Sequence, residues 1–336
     1  MNLIRLSIVL SICFAFAPAQ AKVYKIATLS PDGLSWMKKL RASTREIEQK
    51  TEGRVKFKIY PGGVQGDDQT VLRKMRIGQL HGGIVAAGSL TKFYPDLQIY
   101  NLPLEFRDYE EVDYVRKNLD GRIIKGLADQ GLVSFGLIET GFAYILSVKP
   151  VRSVDDLKKL KAWIPDNDPI AVRLVRSFGV APIPLNLADV LAALQTGLIN
   201  AVAIPPIVAI ALQWHTQVKY VTDMPMVYIY SMLAMDRKAY SRMDPADQII
   251  VKEILSDTFA EIDQDNRTAN VTAYQALLTQ GIQAVAPTDE DRREWLSLAE
   301  TSIEDLVEVG EITAEAYTIL MTHLRDIRQR SSQTGQ

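Results

Sequence analysis

From Asp244 to Gly281 the chain meets no helix breaker. Asp244 stands as an N-cap, Pro245 takes the first helical position, where its missing N–H costs nothing, and Asp247 lies on the positive end of the helix dipole. The stretch predicts a helix of about 36 residues, or about 54 Å at 1.5 Å per residue. One domain rarely needs so long a rod. The pattern therefore reads as a helix that bridges two lobes and braces the hinge between them, unless a loop at Asp263 to Asn266 splits it.

Around that helix, strands alternate with helices. Val23 to Thr28 reads as a strand, and Trp36, Leu40 and Ile47 recur at helical spacing before Gly53 ends the element. Val55, Phe57 and Ile59 alternate with Lys56 and Lys58, the period of a half-buried strand, until Pro61-Gly62-Gly63 breaks it. A helix follows from Asp67 with Val71, Leu72 and Met75 and stops at Gly78; Gly83 to Ala87 is short, small and apolar, like a buried parallel strand. Leu132 to Ile138 and Tyr144 to Ser147 predict extended chain up to the break at Lys149-Pro150. Beyond it Ser153 caps a short helix, Lys161 to Ile164 reads as a strand, and Asp168-Pro169 opens a helix closed by Gly179. A helix from Ala188 to Thr196, a strand from Ile199 to Ile204, a strand from Ile282 to Val285 and a helix capped at Thr288 complete the pattern. Such alternation predicts an α/β fold with a parallel sheet.

The N-terminus points to export. Arg5 precedes the apolar run Leu6 to Phe16, and Pro18-Ala19-Gln20-Ala21 offers small residues for a signal peptidase, so residues 1–21 read as a signal peptide cleaved after Ala21. The run is shorter than the roughly 20 residues that span a bilayer. Cys13 is the only cysteine, so the mature chain carries no disulfide and its stability rests on packing. A formal charge of −2, with acids and bases interspersed, recruits neither nucleic acid nor anionic lipid. The expectation is a soluble periplasmic protein.

Catalytic chemistry finds little footing. His81, His215 and His323 lie far apart without metal-ligand spacing, and there is no nucleophile elbow, phosphate-binding loop or dinucleotide fingerprint. Glu110-Glu111 and Asp155-Asp156 sit at predicted helix starts, where the dipole favours acids over any general acid/base role. A non-enzyme without metal or cofactor is expected.

From about Lys22 to Leu320 the chain resembles the solute-binding subunits of TRAP transporters, the DctP-like extracytoplasmic receptors. The resemblance rests on Lys56-Phe57-Lys58-Ile59-Tyr60-Pro61-Gly62-Gly63, on Leu102-Pro103-Leu104-Glu105-Phe106-Arg107-Asp108, on Ala193-Leu194-Gln195-Thr196-Gly197 and on Lys219-Tyr220. It implies a two-lobed, periplasmic-binding-protein-like α/β fold with hinge strands and a long bracing helix, the ligand enclosed when the lobes close. The lobes are then expected at 22–146 with 232–270 and at 147–231 with 271–325, followed by a flexible tail, 326–336. The implied partners are a small organic ligand and TRAP membrane subunits, with room for an accessory periplasmic protein.

The resemblance also marks where this chain departs. In the family an arginine that pairs with the ligand carboxylate falls in the segment matching Leu157 to Pro165; here the position is Trp163. A second family arginine falls at Ala143 when Glu139-Thr140-Gly141-Phe142 is aligned without a gap, and a ligand-binding asparagine becomes Ile204. Enclosing a carboxylate without a partner forfeits its solvation, so the cleft is expected to hold an apolar or aromatic ligand. Trp163, Phe142 and Ile204 would form its floor, though Phe142 and Ile204 read equally as core. Tyr144, Tyr228 and Tyr230 are candidates for a polar handle, against ordinary sheet packing. Ser30, at the first strand-to-helix turn, is a candidate contact or a cap for the following helix. A receptor for an ordinary carboxylate, and a lipid shuttle or ligand sensor on the same scaffold, are the competing readings.

Overall fold

The computed structural model describes residues 21–166 and 168–334. The predicted signal peptide lies outside them, apart from Ala21.

The first strand, β1 (Lys22–Thr28), pairs in parallel with β2 (Val55–Tyr60) and β3 (Gly82–Ala86), with Ile26 opposite Ile59 on one side and Gly82 on the other. Between them α1 (Ser35–Lys50) buries Met37, Leu40 and Ile47, while Trp36 is only half-buried. The helix α2 (Asp68–Arg76) starts where Asp67 accepts from the Thr70 N–H at 2.7 Å. After two short 3-10 turns comes α3 (Tyr109–Asp129), capped by Asp108 with Glu110 and Glu111 in its first turn. The strand predicted at 132–138 is two strands, β4 (Leu132–Val133) and β5 (Leu137–Ser147), interrupted around Gly136.

The strand β5 ends at Ser147, where the lobe boundary is expected. Beyond it lie α4 (Val154–Lys158), with a Ser153–Asp156 capping box, β6 (Trp163–Pro165), α5 (Pro169–Ser177), β7 (Ile183–Leu185) and α6 (Val190–Thr196). The chain continues through β8 (Ala201–Ile204), α7 (Pro206–Ala211), β9 (Tyr220–Thr222), β10 (Val227–Asp236) and α8 (Arg237–Tyr240). Leu137 to Ala143 of β5 pair antiparallel with β10, and Tyr144 to Ser147 pair with β8. In turn β10 continues past β5 to pair with β3 over Ser231 to Met235. These two long strands thus carry the sheet from one half of the molecule into the other.

The long helix is real: α9 (Pro245–Thr279) has 35 residues and no break. Its first part packs Val251, Leu255 and Phe259 with Met37 and Leu40, and its far end packs Leu277 with Trp214 and Val221, so it bridges two apolar cores. Across 263–266 the helix is bolted to β5. Asp263 accepts the Glu139 N–H at 2.7 Å and the Asn266 amide donates to the Glu139 carbonyl at 2.6 Å. One turn on, Asn270 donates to the Thr140 carbonyl at 2.8 Å. Gly141 has φ +116°, and a Cβ there would meet the Asn270 amide at 2.4 Å, so only glycine lets helix and strand approach this closely.

The last elements are β11 (Gln283–Val285), parallel to β9, α10 (Asp289–Glu308), capped by Thr288 and Asp291, and α11 (Ala314–Thr334). The last of these corrects the expected tail. Ile327 is buried, and Arg328 holds Glu111 of α3 at 2.7 Å, so helix persists through a polar segment because its inner face is anchored. Leu320 and Leu324 share a core with Val115 and Leu119, which puts α11 with the first half of the chain and not with 147–231.

Candidate ligand-binding cleft

A cleft of about 360 Å³ opens where β5, β10 and β8 meet the small β6–β7 pair and the starts of α2 and α5. That volume lies at the small end of the range for organic-ligand sites, roughly 300–1,000 Å³.

The three positions that the resemblance marks as departures converge here. Ala143, Trp163 and Ile204 all line the cleft, although they sit on three different strands. Trp163 is 6 % exposed; its indole N–H donates to the Leu185 carbonyl at 3.0 Å, and its ring meets Trp214 edge-on with centroids 5.2 Å apart. The wall is therefore rigid, with the indole's polar handle already spent on the backbone. Tyr230 also lines the cleft, but its hydroxyl donates to the Leu97 carbonyl.

Four other candidates lie away from the cleft wall. Phe142 is core, tilted against Tyr109 and edge-on to Tyr228, because the pleat turns it to the opposite face from Ala143. Tyr228 is buried beside it, donating to Glu139 at 2.9 Å and accepting from Arg116 at 3.1 Å. Tyr144 packs on Tyr274 at 5.2 Å. Ser30 neither lines the cleft nor caps α1, whose N-cap is Leu34; Leu29 takes the place at the cleft.

The polar lining was not foreseen. Asp67, Asp68, Asp166, Asp168, Gln98, Asn101 and Asn186 face the cleft, and among the described residues lining it none is Lys, Arg or His. Asp68 accepts the Ala86 N–H at 3.0 Å and the Ser89 hydroxyl at 2.9 Å. Burial pushes its carboxyl up to about 6, with Asp67 and Asp166 adding to the rise and those two hydrogen bonds opposing it. Asp168 caps α5 through the Ala171 N–H at 2.9 Å and accepts the Gln98 amide at 3.1 and 3.2 Å; burial raises its pKa as well. Asn186 donates to Asp166 at 3.3 Å and to Asp67 at 3.5 Å. Asp67 and Asp168 are helix N-caps, so their sequence signal is that of a cap and says nothing of the cleft.

Behind the cleft lies a buried ionic network. Glu139, fully buried, accepts from Arg267 at 2.7 Å, and Arg116 bonds Asp263 at 2.7 Å. These groups tie β5, α3 and α9 together and do not line the cleft. Among the described residues no group of three or more His, Cys, Asp or Glu is placed to hold a metal ion, and no helix is long and apolar enough to cross a membrane.

Two lobes of α/β structure, joined by long shared strands, braced by one helix and enclosing a cleft, define a solute receptor of the periplasmic-binding type. The chain belongs to the family of bacterial extracellular solute-binding proteins, family 7 (DctP), whose model matches residues 26–308. This is a family of receptors and not of enzymes. Among relatives, the chain is 22 % identical over 253 residues to the sialic acid-binding periplasmic protein SiaP of Vibrio cholerae, spanning 74 % of this chain and 78 % of that one. Its fold matches the sugar acid binding protein DctPAm of Advenella mimigardefordensis in complex with galactonate, with a TM-score of 0.84, 17 % identity, and coverage of 91 % and 98 %. It also matches a TRAP periplasmic solute binding protein of Desulfovibrio salexigens with bound orotic acid, with a TM-score of 0.82, 18 % identity, and coverage of 91 % and 99 %.

Proposed function

We propose that this protein is the periplasmic receptor of a TRAP transporter, exported with cleavage after Ala21, which closes on a small apolar or aromatic molecule and hands it to membrane subunits. One observation carries the reading: Ala143, Trp163 and Ile204 meet in a single cleft whose described lining has no cationic side chain. The proteins of similar fold named above hold galactonate and orotic acid. A carboxylate in this cleft would give up several kcal/mol of solvation against four acids and no base. Apolar area returns about 25 cal/mol per Å², so the aromatic and aliphatic wall supplies the affinity instead. Closure follows because a ligand touching both walls only in the closed form shifts the population toward it.

Solvent extraction of the purified protein followed by mass spectrometry tests the proposal. Recovery of an apolar or aromatic compound, and its loss from Trp163→Arg, is the expected result. Recovery of a simple sugar acid, or tighter binding of such acids by Trp163→Arg with the native ligand still held, would overturn it.

A further inference from the structure

Two carboxylates of the cleft, Asp68 and Asp168, have no cation among their hydrogen-bond partners, whereas Arg73 bears on Asp67. Acidic side chains are seldom buried unless a cation or metal pairs with them. Asp68 is 8 % exposed and lines the cleft. Both of its hydrogen bonds, from the Ala86 N–H and the Ser89 hydroxyl, fall on Oδ2; Oδ1 takes none among the described residues. The charged groups that bear on it, Asp67 and Asp166, are acids themselves. Asp168 is in the same position: its partners are backbone N–H groups and the Gln98 amide, all neutral, and the charge acting on it is that of Glu311. The walls carrying these groups are apolar and of low dielectric, which concentrates their field in the cavity and draws in cations. The acids are not grouped as metal ligands, whereas an ammonium, with three donors on a point charge, is satisfied by one or two carboxylate oxygens.

We propose that the cargo carries a protonated nitrogen, seated at Asp68 Oδ1 with Asp168 completing the negative end, while its apolar body lies on Trp163, Ile204 and Ala143. The ligand class is then a small arylalkyl or alkyl amine. This rests on the reading of the cleft as an apolar-ligand site and adds to it a charge.

The test is a calorimetric comparison, at pH 7.5, of the purified protein stripped of ligand by unfolding and refolding. The probes are phenethylamine, phenethyl alcohol and hydrocinnamate, each with the homologues longer by one and two carbons. The amines are expected to bind about tenfold or more tightly than the alcohols, with no binding of the carboxylates. Asp68→Asn should cost the amines about tenfold more than it costs the alcohols, since only the amines lose a full charge pairing. Alcohols that bind as tightly as amines overturn the charge and leave the apolar reading standing. Carboxylates that bind best, or no binding in any series, overturn both. If Asp68→Asn does not refold, judged by circular dichroism, the order of the three series in the unaltered protein decides alone.

Discussion

Gln98 and Asp168, 70 positions apart in the chain, are joined by two hydrogen bonds of 3.1 and 3.2 Å from one amide nitrogen to both carboxylate oxygens. Gln98 belongs to a turn packed under α3, and Asp168 opens α5, so the pair fastens one wall of the cleft to the other. Gly88 completes the contact. A Cβ there would lie 2.2 Å from Asp168 Oδ2 and 2.8 Å from the Gln98 amide nitrogen.

Gly88→Ala is therefore expected to prop the cleft open. The added methyl cannot be accommodated while Asp168 and Gln98 remain bonded, and a ligand that binds only the closed form loses affinity by the fraction of closed protein. Small-angle scattering should report a larger radius of gyration, and ligand affinity should fall about tenfold or more. An unchanged scattering profile with unchanged affinity would mean that this pair does not govern closure.

The Arg267–Glu139 pair predicts a different outcome, one of stability. Arg267 donates to Glu139 from Nε and Nη2 at 2.7 to 3.0 Å and also holds Asp113 at 2.6 Å. Arg267→Ala leaves Glu139 buried with the Tyr228 hydroxyl and Arg116, the latter 3.8 Å away. Losing one partner of a buried pair costs about 3–5 kcal/mol. Urea unfolding should show that loss for Arg267→Ala, and a smaller one than the sum of the singles when Glu139→Gln is combined with it. Strictly additive losses would mean that the two groups do not interact.

What the sequence reveals, and what it hides, follows from the range of each interaction. Asp67 and Asp168 were legible as helix caps, and both do accept helix N–H groups. Their place in the cleft was not legible, because it depends on Gln98 and Asn186, which meet them only after the halves pack. Trp163, Ala143 and Ile204 were found through departure from a family pattern, since nothing in their local periodicity separates cleft wall from core. Phe142, which reads equally as core or cleft, is core because it lies one step of the pleat from Ala143. The long helix was readable end to end because its signals, Asp244, Pro245 and Gly281, are local.

The helix α11 shows the limit of composition as a guide. Gln329 to Gln336 is polar enough to read as disorder, yet Arg328 bonds Glu111 through two nitrogens at 2.7 and 3.0 Å and also the Glu105 carbonyl. Arg328→Ala leaves the Glu111 carboxylate, whose side chain is 6 % exposed, with only the Arg107 N–H at 3.0 Å and the Arg107 guanidinium at 3.8 Å. A thermal melt should report a loss of about 1–3 kcal/mol, the cost of an unsatisfied buried group. A flexible tail would cost nothing.

Asp68 gives the protein a signature in pH. Its carboxyl is raised from 3.8 to about 6, chiefly by burial, with Asp67 and Asp166 pushing the same way and the Ala86 N–H and Ser89 hydroxyl pulling against them. The folded state therefore keeps this proton where the unfolded chain has released it. Stability from Asp68 is fully present below about pH 3.8, declines as pH rises through about 6, and is lost above it. A shift of that size is on the order of 3 kcal/mol. Asn keeps an acceptor for Ala86 and Ser89 without the charge, so Asp68→Asn should be the more stable protein at pH 7.5 in the absence of ligand. Its advantage should shrink as pH falls from about 6 toward 4. Urea unfolding of both proteins across that range measures the difference directly. An advantage that does not vary with pH would show that the ionised carboxylate is already compensated within the protein. A vanishing one means that the ionised Asp68 carboxylate is uncompensated in the ligand-free protein.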